Sequence, residues 1–141
     1  MKIEEAPIAE EFPAKIDDGE YDAVCYATET GRSFGGRRDI FIKFRIYEGE
    51  FGSAEVNLIC TYPDGKMSPR HKYYQQWVLA NGKPPRKNQR LARKIFLNRM
   101  FRIKVRTTRR TYTNTNKPLP DHMQYSVVDT IIEPLTGGQD L

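Results

Sequence analysis

From Ile40 to Tyr47 the chain alternates between two kinds of side chain. A strand points successive residues to opposite faces. Residues 38–47 are therefore predicted as a strand with Ile40, Ile42, Phe44 and Ile46 on one face and Phe41, Lys43, Arg45 and Tyr47 on the other. The same period of two recurs in three further segments. In residues 21–28 it sets Tyr21, Ala23, Cys25 and Ala27 against Val24 and Tyr26. In 53–60 it aligns Ala54, Val56, Leu58 and Cys60. In 100–107 it places Phe101, Ile103 and Val105 opposite Arg102, Lys104 and Arg106. Residues 124–132 read as a fifth strand.

Between the third and fourth strands the period lengthens to that of a helix. Ser68 followed by Pro69 is a helix-start signal, a capping hydroxyl before a proline at the first helical position. The helix is predicted to run to about Ala80 and to stop at Asn81-Gly82. Tyr73, Tyr74, Trp77 and Val78 share one broad face of it, the ordinary pattern of a core-facing helix. Past Pro84 and Pro85, a second short helix is expected over 88–97, with Leu91 and Ile95 packing and Arg90, Arg93 and Lys94 outward.

The joints are polar. Residues 29–37 form a loop with Gly31, Gly35 and Gly36 for freedom and Arg32, Phe34 and Arg37 for contacts. It lacks the Lys-Ser/Thr ending of a nucleotide phosphate loop. Residues 48–52 and 62–65 are turns. Residues 108–123 make a long loop carrying Arg109, Arg110, Tyr112 and Lys117, and a loop of that length in a compact domain is usually functional or mobile. The order is three strands, a helical insertion, then two strands. It matches the five-stranded OB-fold, a Greek-key barrel whose second and third strands and two of whose loops commonly bind oligonucleotides. The expected organisation is an acidic arm over 1–18, the barrel over 19–133 and a short tail over 134–141.

Charge sharpens this picture. The 141 residues carry a net +5. Residues 1–22 hold eight acidic side chains against Lys2 and Lys15, a net of −6, which leaves +11 for the remainder. Between Asp64 and Asp121 there are sixteen lysines and arginines and no acidic residue. Such a run favours a polyanionic partner. The acidic arm is expected either to solubilise or to dock on the cationic surface. No apolar run is long enough to span a bilayer, and the glutamate-bearing amino terminus does not read as a secretory signal. Cys25 and Cys60 lie inside apolar runs and are read as buried reduced thiols of a cytoplasmic protein.

Catalytic constellations are not apparent. His71 and His122 are not spaced to join Cys25 and Cys60 around zinc, and His71 reads as a solvated histidine of the first helical turn. Asp17, Asp18, Glu20 and Asp22 are the acids best suited to metal-dependent nuclease chemistry, but they also read as a solvated acidic arm. No cofactor or metal site is expected.

The layout resembles that of the small OB-fold single-stranded DNA-binding proteins of phages and mobile elements. The residues that carry the likeness are Gly19-Glu20-Tyr21, Phe44-x-Ile46-x-x-Gly49, Tyr73-Tyr74-x-x-Trp77, the run 96–105, and Tyr125-Ser126-Val127-Val128. It covers most of 19–133. The resemblance implies non-enzymatic binding of single-stranded DNA, in replication or recombination and with protein partners from those processes. The chain departs from bacterial replication-type binding proteins after the last strand, where a short stretch carries only Asp140 near its end. Recruitment through an acidic tip is therefore not expected.

On this reading Phe34, Phe41, Tyr47 and Tyr112 stack on bases. Arg32, Arg37, Lys43, Arg45, Arg102, Lys104, Arg106, Arg109, Arg110 and Lys117 meet phosphates. RNA is a variant ligand, since nothing here reads a 2′-hydroxyl. The alternative from another class is a protein-interaction module whose basic surface meets an acidic partner, because fold alone does not fix function. Strand edges leave both monomer and homodimer open.

Overall fold

The computed structural model describes residues 15–32, 38–47, 53–63, 65–108, 120–121 and 124–135. Five strands, β1 (Gly19–Arg32), β2 (Arg38–Tyr47), β3 (Ser53–Thr61), β4 (Met100–Thr108) and β5 (Tyr125–Pro134), close into a barrel in the order β1-β2-β3-β5-β4. The helix α1 (Lys72–Asn81) lies between β3 and β4 in sequence. This is the OB-fold-like architecture expected from the order of elements. All pairings are antiparallel except β3 with β5, a parallel contact with the single register pair Asn57 and Val127. Among the described residues, no helix is long and apolar enough to cross a membrane.

The inward rows meet in one core. Ile40, Ile42, Phe44 and Ile46 of β2 are buried with Val56 and Leu58 of β3, Phe101, Ile103 and Val105 of β4, and Val128 and Ile131 of β5. Phe44 and Phe101 pack edge to face at 6.1 Å, and Phe96 and Tyr73 extend the cluster.

Two strand expectations change. β1 runs on to Arg32, so the first four residues expected in a loop are strand paired to β2. The register also slips between Cys25 and Ala27. The simple alternation puts Ala27 beside Cys25 on the core face. Past the bulge it lies instead opposite Lys43, while Thr28 lies opposite the inward Ile42. An extra residue in one strand reverses the parity of everything beyond it. The backbone of 98–99 holds this bulge, with Cys25 N–H donating to the Arg99 carbonyl at 3.0 Å and Asn98 N–H donating to the Cys25 carbonyl at 2.8 Å.

Helix α1 covers the β3–β5 side of the barrel with Tyr73, Gln76, Trp77 and Ala80 buried. That stripe has the spacing of one helical face. Tyr74 and Val78, expected within it, are half-buried. Gly82 ends the helix in the left-handed conformation at φ 83°, and its N–H donates to the Val78 carbonyl. Ser68 does not cap the helix. It closes a turn onto His71, whose Nδ1 accepts from Ser68 N–H at 3.0 Å, and His71 itself occupies the cap position. His71 is thus a half-buried turn residue and not a solvated member of the first turn.

The expected second helix is a single 3₁₀ turn, Arg93–Ile95. Asn88 and Asn98 bracket the segment with φ of 65° and 59°, so no right-handed helix runs through either end of it. Side chains of α1 take the carbonyls that such a helix would have used. Tyr73 Oη donates to Leu91 O at 2.8 Å and Trp77 Nε1 to Ala92 O at 3.2 Å. Leu91 and Ile95 pack against the core as expected, and Phe96 is fully buried.

Gln76 joins the helix to the barrel where β5 runs past the single pair it makes with β3. Its Oε1 accepts from Ile131 N–H at 2.7 Å and its Nε2 donates to Thr130 Oγ1 at 2.9 Å. A buried N–H left unsatisfied costs about 1–3 kcal/mol. Gln76→Leu is therefore expected to lower the unfolding free energy by that amount in a urea titration. An unchanged midpoint would show that this tie contributes nothing.

Ahead of β1, Ile16 packs on the core, and its N–H donates to Ser126 Oγ at 2.8 Å. Tyr21 Oη donates to the Asp17 carbonyl, and Thr107 Oγ1 to Asp18, each at 2.6 Å. These contacts tie residues 16–18 to the barrel wall. The earlier part of the expected arm lies outside the described residues.

Candidate nucleic-acid interface

The outward face of β1, β2 and β3 is laid out by register. Tyr47 lies opposite Ser53, Arg45 opposite Glu55, Lys43 opposite Asn57 and Phe41 opposite Ile59. On the β1 side, Ala27 lies opposite Lys43, Glu29 opposite Phe41 and Gly31 opposite Asp39. Phe41 is half-buried, and its ring lies over Gly31, where an added Cβ would come within 3.5 Å of it. With the half-buried Ile59 beside it, Phe41 forms a small apolar platform. Tyr47 is 67% exposed at the other end of the same row.

Between them stands a fixed polar cluster. The Arg45 guanidinium lies 4.3 Å from the Tyr26 ring centroid and donates to Glu55 Oε1 at 3.0 Å, while Tyr26 Oη donates to Glu55 Oε2 at 3.0 Å. The bond from Arg45, followed by that from Tyr26, holds the Glu55 carboxyl below its ordinary pKa. Burial, reinforced by the bond to Glu55, pushes the Tyr26 phenol up to about 12. Lys43 pairs with Glu29 at 3.1 Å. Both cations of the β2 row therefore have a carboxylate partner on a neighbouring strand. Exposed pairs of this kind contribute only about 0–1 kcal/mol, so a phosphate can replace the carboxylate at little cost.

The β4 row is similar. Arg102 lies 3.2 Å from Asp22 and 3.7 Å from Glu20, and Arg106 lies 3.0 Å from Asp129. Lys104 is exposed with no ion pair among the described residues. Like charges on one strand face repel, and here acids of neighbouring strands relieve that repulsion. The β2 and β4 rows do not form one groove. Both strands flank β1, but Lys43 and Phe41 lead toward its end, whereas Lys104 and Arg106 lead toward its start.

Arg32 closes β1 opposite Arg38. Phe34, Arg37, Arg109, Arg110, Tyr112 and Lys117 lie outside the described residues. Three further residues take part that sequence reasoning does not assign to the site. Tyr26 supports Arg45. Arg38 stacks on Tyr62, its guanidinium 4.5 Å from the ring centroid, and Tyr62 N–H donates to the Arg38 carbonyl at 2.8 Å. The shared parity of Tyr26 and Val24 does place Tyr26 on the outward face, whereas Tyr62 reads from sequence only as a turn residue.

The chain matches no family model and no curated protein.

The other titratable candidates have structural partners. Asp18 accepts from Thr107, and Glu20 and Asp22 face Arg102. Among the described residues, no group of three or more His, Cys, Asp or Glu is placed to hold a metal ion. Burial pushes the Cys25 thiol up to about 11 and the Cys60 thiol up to about 12, so both are protonated at neutral pH. Both are free and buried, as expected from the sequence.

Proposed function

We propose that this protein binds single-stranded DNA on the outward face of β1–β3. Phe41 and Tyr47 stack on bases, and Lys43 and Arg45 exchange their carboxylate partners for phosphates. The observation that carries this reading is the outward row of β2 itself. It sets a platform aromatic and an exposed aromatic on either side of two cations, on the strand whose outward face commonly serves oligonucleotides in barrels of this kind. Base stacking contributes about 1–3 kcal/mol per base and tolerates any sequence. A duplex hides the faces that Phe41 and Tyr47 would use. A place in replication or recombination accords with the layout resemblance.

The test is fluorescence anisotropy with a labelled oligonucleotide of about thirty bases, single- and double-stranded, across a salt series. Tight, salt-sensitive binding to the single strand alone is expected. Equal binding to both forms would reduce the site to a phosphate-reading surface and remove the stacking role. Absence of binding at physiological salt would overturn the reading. It would favour the second one, a protein-facing barrel, for which the charge balance of Lys43 with Glu29 and Arg45 with Glu55 is the supporting observation.

A further inference from the structure

Most of the unbalanced positive charge of the described residues lies beside the sheet. Residues 66–99 carry ten lysines and arginines and no acidic side chain. None of the ten lies in an ion pair among the described residues, whereas four of the five cations on the β2 and β4 rows do. A polyanion that crossed only the sheet face would therefore leave these ten cations unused.

Part of that segment forms one wall of a cleft of about 500 Å³. The other wall is the chain leaving β3. Tyr62 and Lys66 stand on one side, and Arg90 and Arg93 on the other, with Tyr73 and Leu91 among the remaining lining residues. The volume falls within the roughly 300–1,000 Å³ of small-molecule sites. No described residue of the lining is acidic. The second wall is held in place, because Tyr73 Oη donates to the Leu91 carbonyl and Trp77 Nε1 to that of Ala92. Tyr62 is itself positioned by the Arg38 guanidinium and by the bond from its N–H to the Arg38 carbonyl.

The cleft adjoins the sheet site. Ile59, which pairs with Phe41 across the strands, lies three residues before Tyr62. At about 3.3 Å per residue that separation is roughly 10 Å. An aromatic ring and three cations that have no ion pair among the described residues, around one cleft, provide partners for the two features that a nucleotide unit offers, a base face and a phosphate.

We propose that this cleft binds one further nucleotide of the same strand, its base against Tyr62 and its phosphate among Lys66, Arg90 and Arg93. The inference rests on the sheet-face reading and adds a second position to it. The strand then runs from Tyr47 past Phe41 and off the end of β3 into the cleft.

The test compares oligothymidylates of about five and about fifteen bases. Four proteins are used: wild type, Tyr62→Ala, Arg90→Ala/Arg93→Ala, and the control Lys83→Ala/Lys87→Ala. The control removes two exposed cations that do not line the cleft. All substituted side chains are exposed, so folding should survive and is verified by circular dichroism. For the longer strand, Tyr62→Ala should weaken binding by about 5- to 150-fold, the equivalent of removing one stack. The Arg90/Arg93 variant should flatten the salt slope by about 0.7 for each phosphate that is no longer neutralised. The control and the five-base strand should change little. If the control variant loses as much as the arginine variant, or if Tyr62→Ala binds the longer strand like wild type, the cleft is not a nucleotide position, while the sheet reading stands. If wild type binds neither strand, the sheet reading fails and the cleft assignment fails with it.

Discussion

Replacing Phe41 and Tyr47 together by alanine should weaken binding to single-stranded DNA by about 2–6 kcal/mol, two stacks at roughly 1–3 kcal/mol each. The two residues are six positions apart on one strand, about 20 Å at 3.3 Å per residue. At that separation effects usually add, so each single variant should account for about half of the loss. The barrel should tolerate the change. Tyr47 is mostly exposed, and Phe41 rests on Gly31 of β1 and not in the core. The residual binding should remain salt-sensitive but should prefer single strands to duplex far less, because the cations persist while the two stacking surfaces of the sheet face are gone. Anisotropy titrations with both forms provide the measurement. A double variant that keeps its affinity and its preference would remove base stacking from the mechanism.

The largest effect on stability is expected at Trp77. Its side chain is 2% exposed and fills the space between α1 and the 91–97 segment, and its Nε1 donates to the Ala92 carbonyl. Trp77→Ala removes the buried indole, leaves a cavity and takes from the Ala92 carbonyl one of its two donors, the other being Ile95 N–H at 3.4 Å. Truncations of this kind cost about 3–5 kcal/mol, against a total stability of about 5–15 kcal/mol for a domain of ordinary size. Trp77→Phe retains most of the volume but not the N–H, so it should cost distinctly less. Urea unfolding of both variants separates the two contributions. A loss below about 1 kcal/mol for the alanine variant would show that the indole does not hold the helix to the barrel. The same variant bears on the cleft, because Trp77 and Tyr73 pin the wall that carries Arg90 and Arg93. The sheet face lies on other elements and should keep its geometry wherever the variant remains folded.

The legible parts of this protein are those governed by short-range periodicity. Burial alternates along β2 as its side chains do, since one face must leave water and the other need not. The start of β4, the start of β3 and the helix stop at Gly82 follow from equally local signals. The bulge after Cys25 was not legible, because it is imposed by the backbone of 98–99, more than seventy positions away. Nor was the missing second helix, whose carbonyls at Leu91 and Ala92 are taken by tyrosine and tryptophan side chains of α1.

The candidate site divides in the same way. By itself the sequence determined which residues share the outward row of β2, because strand parity is a property of neighbours in the chain. It also determined that the stretch between Asp64 and Asp121 has cations without acids. Only the tertiary structure decided which cations remain unbalanced. Glu29, Glu55, Glu20, Asp22 and Asp129 reach Lys43, Arg45, Arg102 and Arg106 because strand pairing brings separate segments within about 4 Å. Among the described residues, those between β3 and β4 acquire no such partners, since they pack on the barrel through apolar and aromatic side chains and keep most of their charges in water. Net charge is additive along a sequence, but the field at a surface depends on distances that only the fold sets.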